Sequence, residues 1–499
     1  MPTNENFHSR VVVIGAGFSG LSCACHLAKK GYDVTLIEKN DQAGGRARQY
    51  KDQGFTWDMG PSWYWMPDVF DKFFGEFGKK TSDYYQLDRL DPSYTVKFKN
   101  DTIDIPAKME ELEKLFESIE KGSSKKLRSF LKQAQYKYDV GVKKLVYKPS
   151  RSLLEFIDVK LLAGLLKMDV FTSIAKHVRK HFKDERLIQL MEFPILFLGA
   201  TAENTPALYS LMNYADLSLG TWYPKGGMYS VVKGMVELAE ELGVKIRLSE
   251  EVTHFNFDKK SITSVVTKNE DIPCDMVVAG ADYHHVDQKL LPSQFQNYSK
   301  EYWDKRVLAP SSLLFYIGIN KKLPKLEHHT LFFDEDFGLH AEEIYSNPKW
   351  PSKPLLYISA TSKTDSSVAP EGMENLVVLI PVAPDIEDTA EIREKYYDLI
   401  IDKIEAYIGD DIRGSVISKR SYAHKDFIND YHSFKGNAYG LANTLRQTAI
   451  LKPSLKNKKL KNLFYTGQLT VPGPGVPPSL ISGEVVAREV AKEFPIFTN

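Results

Sequence analysis

The segment Gly15-Ala16-Gly17-Phe18-Ser19-Gly20 constrains the fold of this chain more than any other feature. It follows a short apolar run at 11–14, typical of a buried parallel strand. It also opens a segment, 19–30, in which apolar residues recur at helical spacing. A second apolar run at 34–37 ends at Glu38. This order predicts a βαβ unit with a right-handed crossover, the context that a dinucleotide-binding glycine turn requires.

Each glycine of this turn has a predicted role in holding a dinucleotide. Gly15 permits the tight turn, Gly17 lets the backbone approach a pyrophosphate, and Gly20 lets the helix pack closely on the strand. The helix N-terminus supplies partial positive charge, and Glu38 is placed to accept hydrogen bonds from a ribose hydroxyl. The predicted site also includes the neighbouring residues Phe18, Ser19 and Lys39.

The residues after Glu38 distinguish between two possible dinucleotides. Gly44-Gly45-Arg46 fits the families that bind FAD, in which the arginine fork meets the pyrophosphate in bidentate fashion. No second GxGxxG occurs in the chain, so a separate nicotinamide module of the disulfide-reductase type is not expected. The sequence therefore predicts FAD as the cofactor.

The C-terminal region supplies a second candidate cofactor segment. A predicted strand at 463–466 leads into a Gly/Pro-rich loop at 467–478 and a helix from about Ser479. This second helix N-terminus suits the flavin ring and the ribityl chain. Gln468 stands where many FAD enzymes carry an acidic residue, and its amide can still hydrogen-bond the ribityl chain. The residues predicted to contact the cofactor here are Gly467, Gln468, Gly475, Val476 and Pro477.

Together these blocks resemble the carotenoid desaturases of the phytoene desaturase type, within the amine-oxidase-like flavoproteins. The segments that carry this resemblance are 11–31, 38–46, 58–62, 222–228 and 467–483, and the stretches 58–67 and 190–214 look most like bacterial phytoene desaturases. The resemblance implies an FAD-dependent enzyme that converts phytoene to lycopene by hydride transfer to flavin and proton loss. It places Gly60, Pro61 and Ser62 beside the flavin and Val252 near the adenine.

Other functions remain open on the sequence. Within the same family these are a desaturase of a later, hydroxylated or monocyclic carotenoid, and a ketolase or saturase. A flavin amine oxidase would need an aromatic cage and acidic residues to receive a cation, and Trp63-Tyr64-Trp65 could mimic such a cage. An FAD-binding escort protein would bind the cofactor without being reduced by any polyene.

The predicted fold is α/β, with a Rossmann-type FAD-binding domain around a parallel sheet. A mixed-sheet substrate domain and a helical lid or membrane-association region complete it, since 499 residues exceed one hydrophobic core. The FAD-binding domain is assigned to 1–90, 220–290 and 415–499, the substrate domain to 91–108 and 291–414, and the helical region to 109–219.

Composition bears on the partners. Lys+Arg and Asp+Glu both number 65, so the chain lacks the cationic surplus that nucleic-acid binding requires. Aromatic residues make up 12%, which suits an apolar carotenoid substrate. The segment 152–183 mixes leucine and phenylalanine with lysine, as in a membrane-facing surface helix or a lid on the substrate domain. Oxygen or a quinone is the expected terminal acceptor.

Cysteine and histidine usage gives further expectations. Cys23, Cys25 and Cys274 predict buried thiols rather than a disulfide framework. With no secretory signal at 1–10, we expect a cytoplasmic protein associated with the inner face of the cell membrane. No metal site is expected, since cations separate His177 from His181. No catalytic dyad is expected either, because the cation left by hydride loss makes the vicinal proton acidic. The adjacent pairs at 284–285 and 328–329 are expected to be ordinary loop histidines.

Overall fold

A five-stranded parallel sheet forms the centre of the fold in the computed structural model, which describes residues 9–152, 155, 172–198, 201–444 and 447–496. The strand Arg10–Ile14 lies in its middle, so it is buried on both faces. The strands of this parallel sheet are, in spatial order, Leu463–Tyr465, Met276–Ala279, Arg10–Ile14, Asp33–Ile37 and Lys245–Arg247.

Two layers cover the parallel sheet. Val11 and Val13 face a core shared with the helices Phe18–Lys29, Tyr229–Glu241 and Val476–Glu493. Val12 and Ile14 face the opposite core, which includes residues of an antiparallel three-stranded sheet. Those three strands are Val252–Asp258, Ser261–Thr267 and Asp271–Pro273. Alternate residues of one strand therefore belong to different cores, which explains the continuous apolar run.

A seven-stranded mixed sheet is the second large sheet of the fold. Its strands are, in spatial order, Val416–Tyr422, Ser311–Ile319, Glu374–Val382, Leu356–Ser359, His329–Phe333, Tyr94–Phe98 and Thr102–Ile105. Only the pair His329–Phe333 and Tyr94–Phe98 is parallel among the described pairings of this sheet. The helix Ala390–Ile408 packs on one face of the sheet, against side chains such as Phe315 and Ile317.

The remaining elements connect these layers. Two short antiparallel pairs are formed by Gln49–Asp52 with Phe55–Asp58 and by Leu87–Arg89 with Trp222–Pro224. The other described helices are Pro67–Glu76, Met109–Ile119, Ser123–Val140, Ile174–His181, Glu185–Glu192, Leu211–Tyr214, Tyr283–His285, Lys300–Asp304, Phe337–Tyr345 and His424–Tyr431.

The α/β class with one parallel and one mixed sheet is confirmed. The division into domains stays a prediction, and the strand Val416–Tyr422 pairs in the mixed sheet although its residues were assigned to the FAD-binding domain. Most of the predicted lid segment 152–183 lies outside the described residues. Among the described helices, none combines the length and apolar character needed to cross a membrane. The three cysteines are buried free thiols, as expected.

The first and last long helices approach each other at backbone distance. A Cβ atom added at Gly483 would lie 2.4 Å from the Ser19 carbonyl oxygen and 2.7 Å from the Cys23 backbone nitrogen. Ser22 Oγ donates a hydrogen bond of 2.7 Å to the Leu480 carbonyl oxygen across the same interface. Only glycine at 483 allows this approach, because backbone atoms cannot move aside as a flexible side chain does.

We expect Gly483→Ala to lower the free energy of unfolding by about 1–3 kcal/mol, the usual cost of overpacking. The measurement is chemical denaturation followed by circular dichroism. Gly75→Ala is the matched control, since Gly75 is also helical and a Cβ there would meet nothing within 4 Å. Equal stability of the two variants would contradict the packing argument.

Candidate functional site

A cavity of about 450 Å³ opens at the carboxyl ends of the parallel strands. Such strand ends are where open α/β sheets bind their ligands. All the cofactor residues predicted from the sequence line this cavity except Gly20. A Cβ at Gly20 would lie 1.9 Å from the Gly15 carbonyl oxygen, which agrees with its predicted part in helix–strand packing.

Glycine backbones from both ends of the chain form the cradle of the cavity. Gly15 has φ of +94°, a conformation that disfavours a side chain, and its Cβ would lie 3.0 Å from the Ala281 backbone nitrogen. A Cβ at Gly45 would lie 3.3 Å from Gly17 Cα, whereas at Gly17 nothing lies within 4 Å. The backbone at Gly17 is therefore open toward the cavity, as close approach of a pyrophosphate requires.

The C-terminal loop meets the N-terminal turn at the same place. A Cβ at Gly467 would lie 3.1 Å from Ser19 Oγ, and the Gly467 backbone nitrogen donates to Ser482 Oγ at 3.0 Å. The last helix begins at Val476, with Pro477 in its first turn, so its N-terminus faces the cavity. The sequence predicted this convergence but placed the helix start near Ser479.

Glu38 connects the glycine turn to the end of the second strand. One carboxylate oxygen accepts from the Ala16 backbone nitrogen at 2.9 Å, and the other accepts from the backbone and side-chain nitrogens of Asn40 at 3.0 and 2.9 Å. The side chain is nearly buried and lines the cavity. Because a carboxylate can accept about four hydrogen bonds, it can also receive ligand hydroxyls.

Arg46 is a buried cation with an unsatisfied donor. Its Nη2 donates to Ser433 Oγ at 3.1 Å and to the Asn437 carbonyl oxygen at 3.3 Å. Within the described residues its Nε has no hydrogen-bond partner. The guanidinium also lies 5.0 Å from the Tyr431 ring centroid, and burial lowers its pKa. A buried guanidinium that faces a cavity with a spare donor fits an anion such as a pyrophosphate.

The other predicted residues surround the same cavity. Gly60 lies against Arg46, whose carbonyl oxygen would be 2.5 Å from a Cβ at residue 60. Pro61 and Ser62 follow along the wall. Lys39 and Val252 lie at the end near the second strand, where Lys39 Nζ donates to the Asn429 carbonyl oxygen at 2.6 Å.

Several cavity residues are not among the cofactor contacts predicted from the sequence. Asp282 follows the strand Met276–Ala279, where the sequence predicts a cap of a turn or helix rather than a contact to FAD. It caps the next helix by accepting from the His285 backbone nitrogen at 3.1 Å, and burial raises its pKa to about 6. The others, Glu250, Glu251, Asp430, Tyr431 and His432, come from segments without a local signature.

The opposite part of the cavity has an aromatic wall. The distance between ring centroids is 5.2 Å for Trp63 and Trp65, 6.2 Å for Trp63 and Phe193, and 5.8 Å for Phe193 and Phe333. Phe337 continues the series, 4.7 Å from Phe333. The apolar residues that complete this wall include Met66, Met212, Leu331, Ala341, Ile344 and Leu355.

The expectation of ordinary loop histidines was wrong for both adjacent pairs. Residues 284 and 285 lie in the helix Tyr283–His285. His329 begins the strand His329–Phe333 and is fully buried, and His328 is nearly so. Trp63 stacks on His329 with ring centroids 4.1 Å apart. The β-branched Thr330 and the apolar run 331–333 that follow are the local signal that would have predicted this strand.

A family model described as flavin containing amine oxidoreductase matches residues 18–491. The chain belongs to this family. It is an FAD-dependent oxidoreductase, which confirms the predicted cofactor. Membership also agrees with the observed site, in which glycine backbones and a buried arginine surround one cavity.

Relatives that match over nearly their full length are carotenoid desaturases. A carotenoid 3,4-desaturase of Haloarcula japonica is 40% identical over 97% of this chain and 98% of its own. A 4,4'-diapophytoene desaturase of Staphylococcus haemolyticus is 33% identical, covering 97% and 99%. A zeta-carotene-forming phytoene desaturase of Myxococcus xanthus is 30% identical, covering 96% and 93%. The resemblance to the carotenoid desaturase group is thereby confirmed.

Solved structures agree on the fold. An oxidoreductase from Methanosarcina mazei superposes with a TM-score of 0.60 at 15% identity, covering 96% of this chain and all of that one. A putrescine oxidase bound to putrescine gives a TM-score of 0.58 at 14% identity, covering 97% and 99%. At such identities the likeness concerns the fold alone.

We expect Arg46→Lys to weaken FAD binding by about 2 kcal/mol, roughly thirtyfold, because lysine keeps the charge but loses the planar fork. Titration of the apoprotein with FAD, followed by flavin fluorescence, measures the dissociation constant.

Arg306→Lys is the matched control for this change. Arg306 also carries an Nε without a partner among the described residues and lies 4.4 Å from the Tyr302 ring, but it does not line the cavity. Unchanged affinity in Arg46→Lys, or an equal loss in both variants, would contradict an anion site at Arg46.

Proposed function

We propose that this enzyme introduces double bonds into an acyclic carotenoid and converts phytoene to lycopene. The observation that carries the proposal is the aromatic wall from Trp65 to Phe337, which continues from a cavity lined by dinucleotide-binding backbone. The full-length relatives named as desaturases of carotenoids support the same chemistry.

The cofactor fits the residues that surround the cavity. Gly15, Gly17 and Arg46 would hold the pyrophosphate, Glu38 the ribose, and the start of the last helix the flavin end. The predicted contacts that complete this set are Phe18, Ser19, Lys39, Gly44, Gly45, Gly60, Pro61, Ser62, Val252, Gly467, Gln468, Gly475, Val476 and Pro477. Bound FAD would accept a hydride from an allylic carbon of the substrate.

Substrate recognition would depend on apolar burial. A polyene offers no charge and no hydrogen-bond donor, so affinity comes from the area it removes from water, about 25 cal/mol per Å². Phe193, Phe333 and Phe337 present rings to the cavity, and Leu331 and Leu355 add aliphatic surface. Such a wall also keeps water away from a carbocation formed during desaturation.

A carotenoid is dissolved in membrane lipid, which bears on where the enzyme works and on its electron acceptor. We propose peripheral association with the inner face of the cell membrane, through the helical region 109–219, which would also cover the substrate. Oxygen or a quinone would be the terminal acceptor. The three-part domain division given above is kept as part of this proposal.

A second candidate is desaturation of a later, hydroxylated or monocyclic carotenoid. The relative at 40% identity is named a carotenoid 3,4-desaturase, whereas the phytoene desaturase is 30% identical. The amine oxidase alternative is less well supported, because the wall around Trp63 and Trp65 is closed by phenylalanine and leucine side chains. An FAD-binding escort protein would share the cavity but leave the polyene unchanged.

Expression in a bacterium that accumulates phytoene is expected to give a red extract with the absorption bands of lycopene. Supplying hydroxylated and monocyclic carotenoids in parallel cultures tests the second candidate. If only those substrates gain double bonds, the phytoene assignment is wrong. If no carotenoid is converted while the protein retains FAD, the result favours an FAD-binding escort protein.

We expect Ala341→Trp to abolish conversion while leaving FAD content unchanged, because an indole at this position would fill the apolar part of the cavity. The measurements are flavin absorbance of the purified protein and pigment in the extract. Glu342→Trp is the matched control on the same helix, where the side chain is exposed. Normal pigment in Ala341→Trp would show that the substrate binds elsewhere.

A further inference from the structure

Three polar side chains form a continuous hydrogen-bonded chain from the cavity into the mixed sheet. Ser62 Oγ and Tyr357 Oη are 2.8 Å apart, and Tyr357 Oη and His329 Nδ1 are 2.7 Å apart. Ser62 and Tyr357 line the cavity, whereas His329 lies behind its wall and is fully buried. The chain thus links the cavity to a group that can hold a proton.

The surroundings of His329 suit a proton acceptor. Burial lowers the pKa of its imidazole well below the ordinary value, so the ring is neutral in the resting protein. Its Nε2 has no hydrogen-bond partner among the described residues. Trp63 stacks on the ring at an interplanar angle of 14°. An indole face stabilises a cation that lies over it, which favours a transient imidazolium.

A neutral imidazole carries its proton on one of its two ring nitrogens, and inward proton transfer uses the tautomer with the proton on Nε2. In that tautomer Nδ1 accepts from the Tyr357 hydroxyl, and the Tyr357 oxygen can accept from the Ser62 hydroxyl. Ser62 Oγ then has lone pairs that can receive a proton. A proton that arrives at Ser62 can therefore move inward by successive shifts along existing hydrogen bonds.

We propose that Ser62, Tyr357 and His329 take up the proton that the substrate loses, with His329 as its final acceptor. This inference rests on the proposed desaturation. One C–H bond of the substrate breaks with its electron pair, and bound FAD would take up that hydride. The neighbouring C–H bond then breaks, and its electron pair forms the new double bond. Its proton passes to Ser62 Oγ, the Ser62 proton to Tyr357, and the Tyr357 proton to His329 Nδ1.

A weak base is sufficient for this step. The proton next to an allylic cation is far more acidic than an ordinary imidazolium, so an imidazole with a lowered pKa still accepts it. The same lowered pKa favours release of the proton before the next turnover. Burial behind the aromatic wall keeps the acceptor neutral and fixes its position relative to Ser62.

Tyr357→Phe is the decisive variant, because it keeps the ring and removes the link between Ser62 and His329. We expect conversion to fall about 100-fold, within the usual contribution of a positioned base. Deuterium at the carbons that lose a proton should then slow conversion more than in the wild type. The assay uses FAD-loaded enzyme and deuterated phytoene, or the hydroxylated carotenoid if only that is converted.

Tyr85→Phe is the matched control. It removes a buried tyrosine hydroxyl, hydrogen-bonded to Tyr64 Oη at 2.9 Å, outside the cavity lining. A purely structural defect would lower the rate in both variants without enlarging the isotope effect. If Tyr357→Phe matches the wild type in rate and isotope effect, the proton chain is wrong while the desaturase function stands. If the wild type converts no carotenoid, both are wrong.

A measurement without substrate tests the hydrogen bond itself. Nitrogen NMR of histidine-labelled, FAD-loaded protein is expected to show a neutral ring for His329, identified by its loss in His329→Phe. The Nδ1 signal should shift in Tyr357→Phe and stay unchanged in Tyr85→Phe. A charged ring in the wild type, or no shift in Tyr357→Phe, would overturn the proposal.

Discussion

The backbone contact between the first and last long helices sets the geometry of the cofactor cavity. These helices come from opposite ends of the chain, yet Gly483 meets the carbonyl of Ser19 without an intervening side chain. The loop before the last helix is thereby held against the N-terminal glycine turn, where Gly467 contacts Ser19. Because both helix N-termini then face one space, their partial positive charges act on the same ligand.

This arrangement also explains how the two sheets share one cavity. The loop after the strand Phe55–Asp58 passes Arg46 at Gly60 and continues to Ser62. The Met59 carbonyl in this loop accepts a hydrogen bond of 2.7 Å from Tyr316 of the mixed sheet. The Asp58 carboxylate anchors the same loop by accepting from the Met228 backbone nitrogen at 2.7 Å. A single loop therefore carries contacts to the cofactor side and to the aromatic wall.

Local patterns predicted the strands beside the glycine turn well. The runs at 11–14 and 34–37 are short and apolar, and the strands Arg10–Ile14 and Asp33–Ile37 each begin one residue earlier. The last helix begins earlier than predicted because Pro477 and Pro478 were taken as loop residues. Proline suits the first turn of a helix, where its missing N–H has no partner to lose.

The aromatic wall could not be derived in the same way, because it depends on distant pairings. The strands Tyr94–Phe98 and His329–Phe333 run parallel although more than two hundred residues separate them. Stacking of Trp63 on His329 arises only once these strands are in place. No local periodicity reports such a contact, so both the histidine and its hydrogen bond to Tyr357 were missed.

An aromatic side chain that carries a polar atom can still form an apolar cavity wall, provided that atom is hydrogen-bonded elsewhere. Trp65 Nε1 donates to Thr221 Oγ1 at 2.9 Å, and Thr221 does not line the cavity. The polar atom of Trp65 is therefore satisfied away from the cavity, so its ring presents carbon to it. Water at such a surface would forgo hydrogen bonds, whereas a polyene has none to lose. Ser62 and Tyr357 differ in that their hydroxyls meet at the wall itself, which is where a departing proton needs an oxygen.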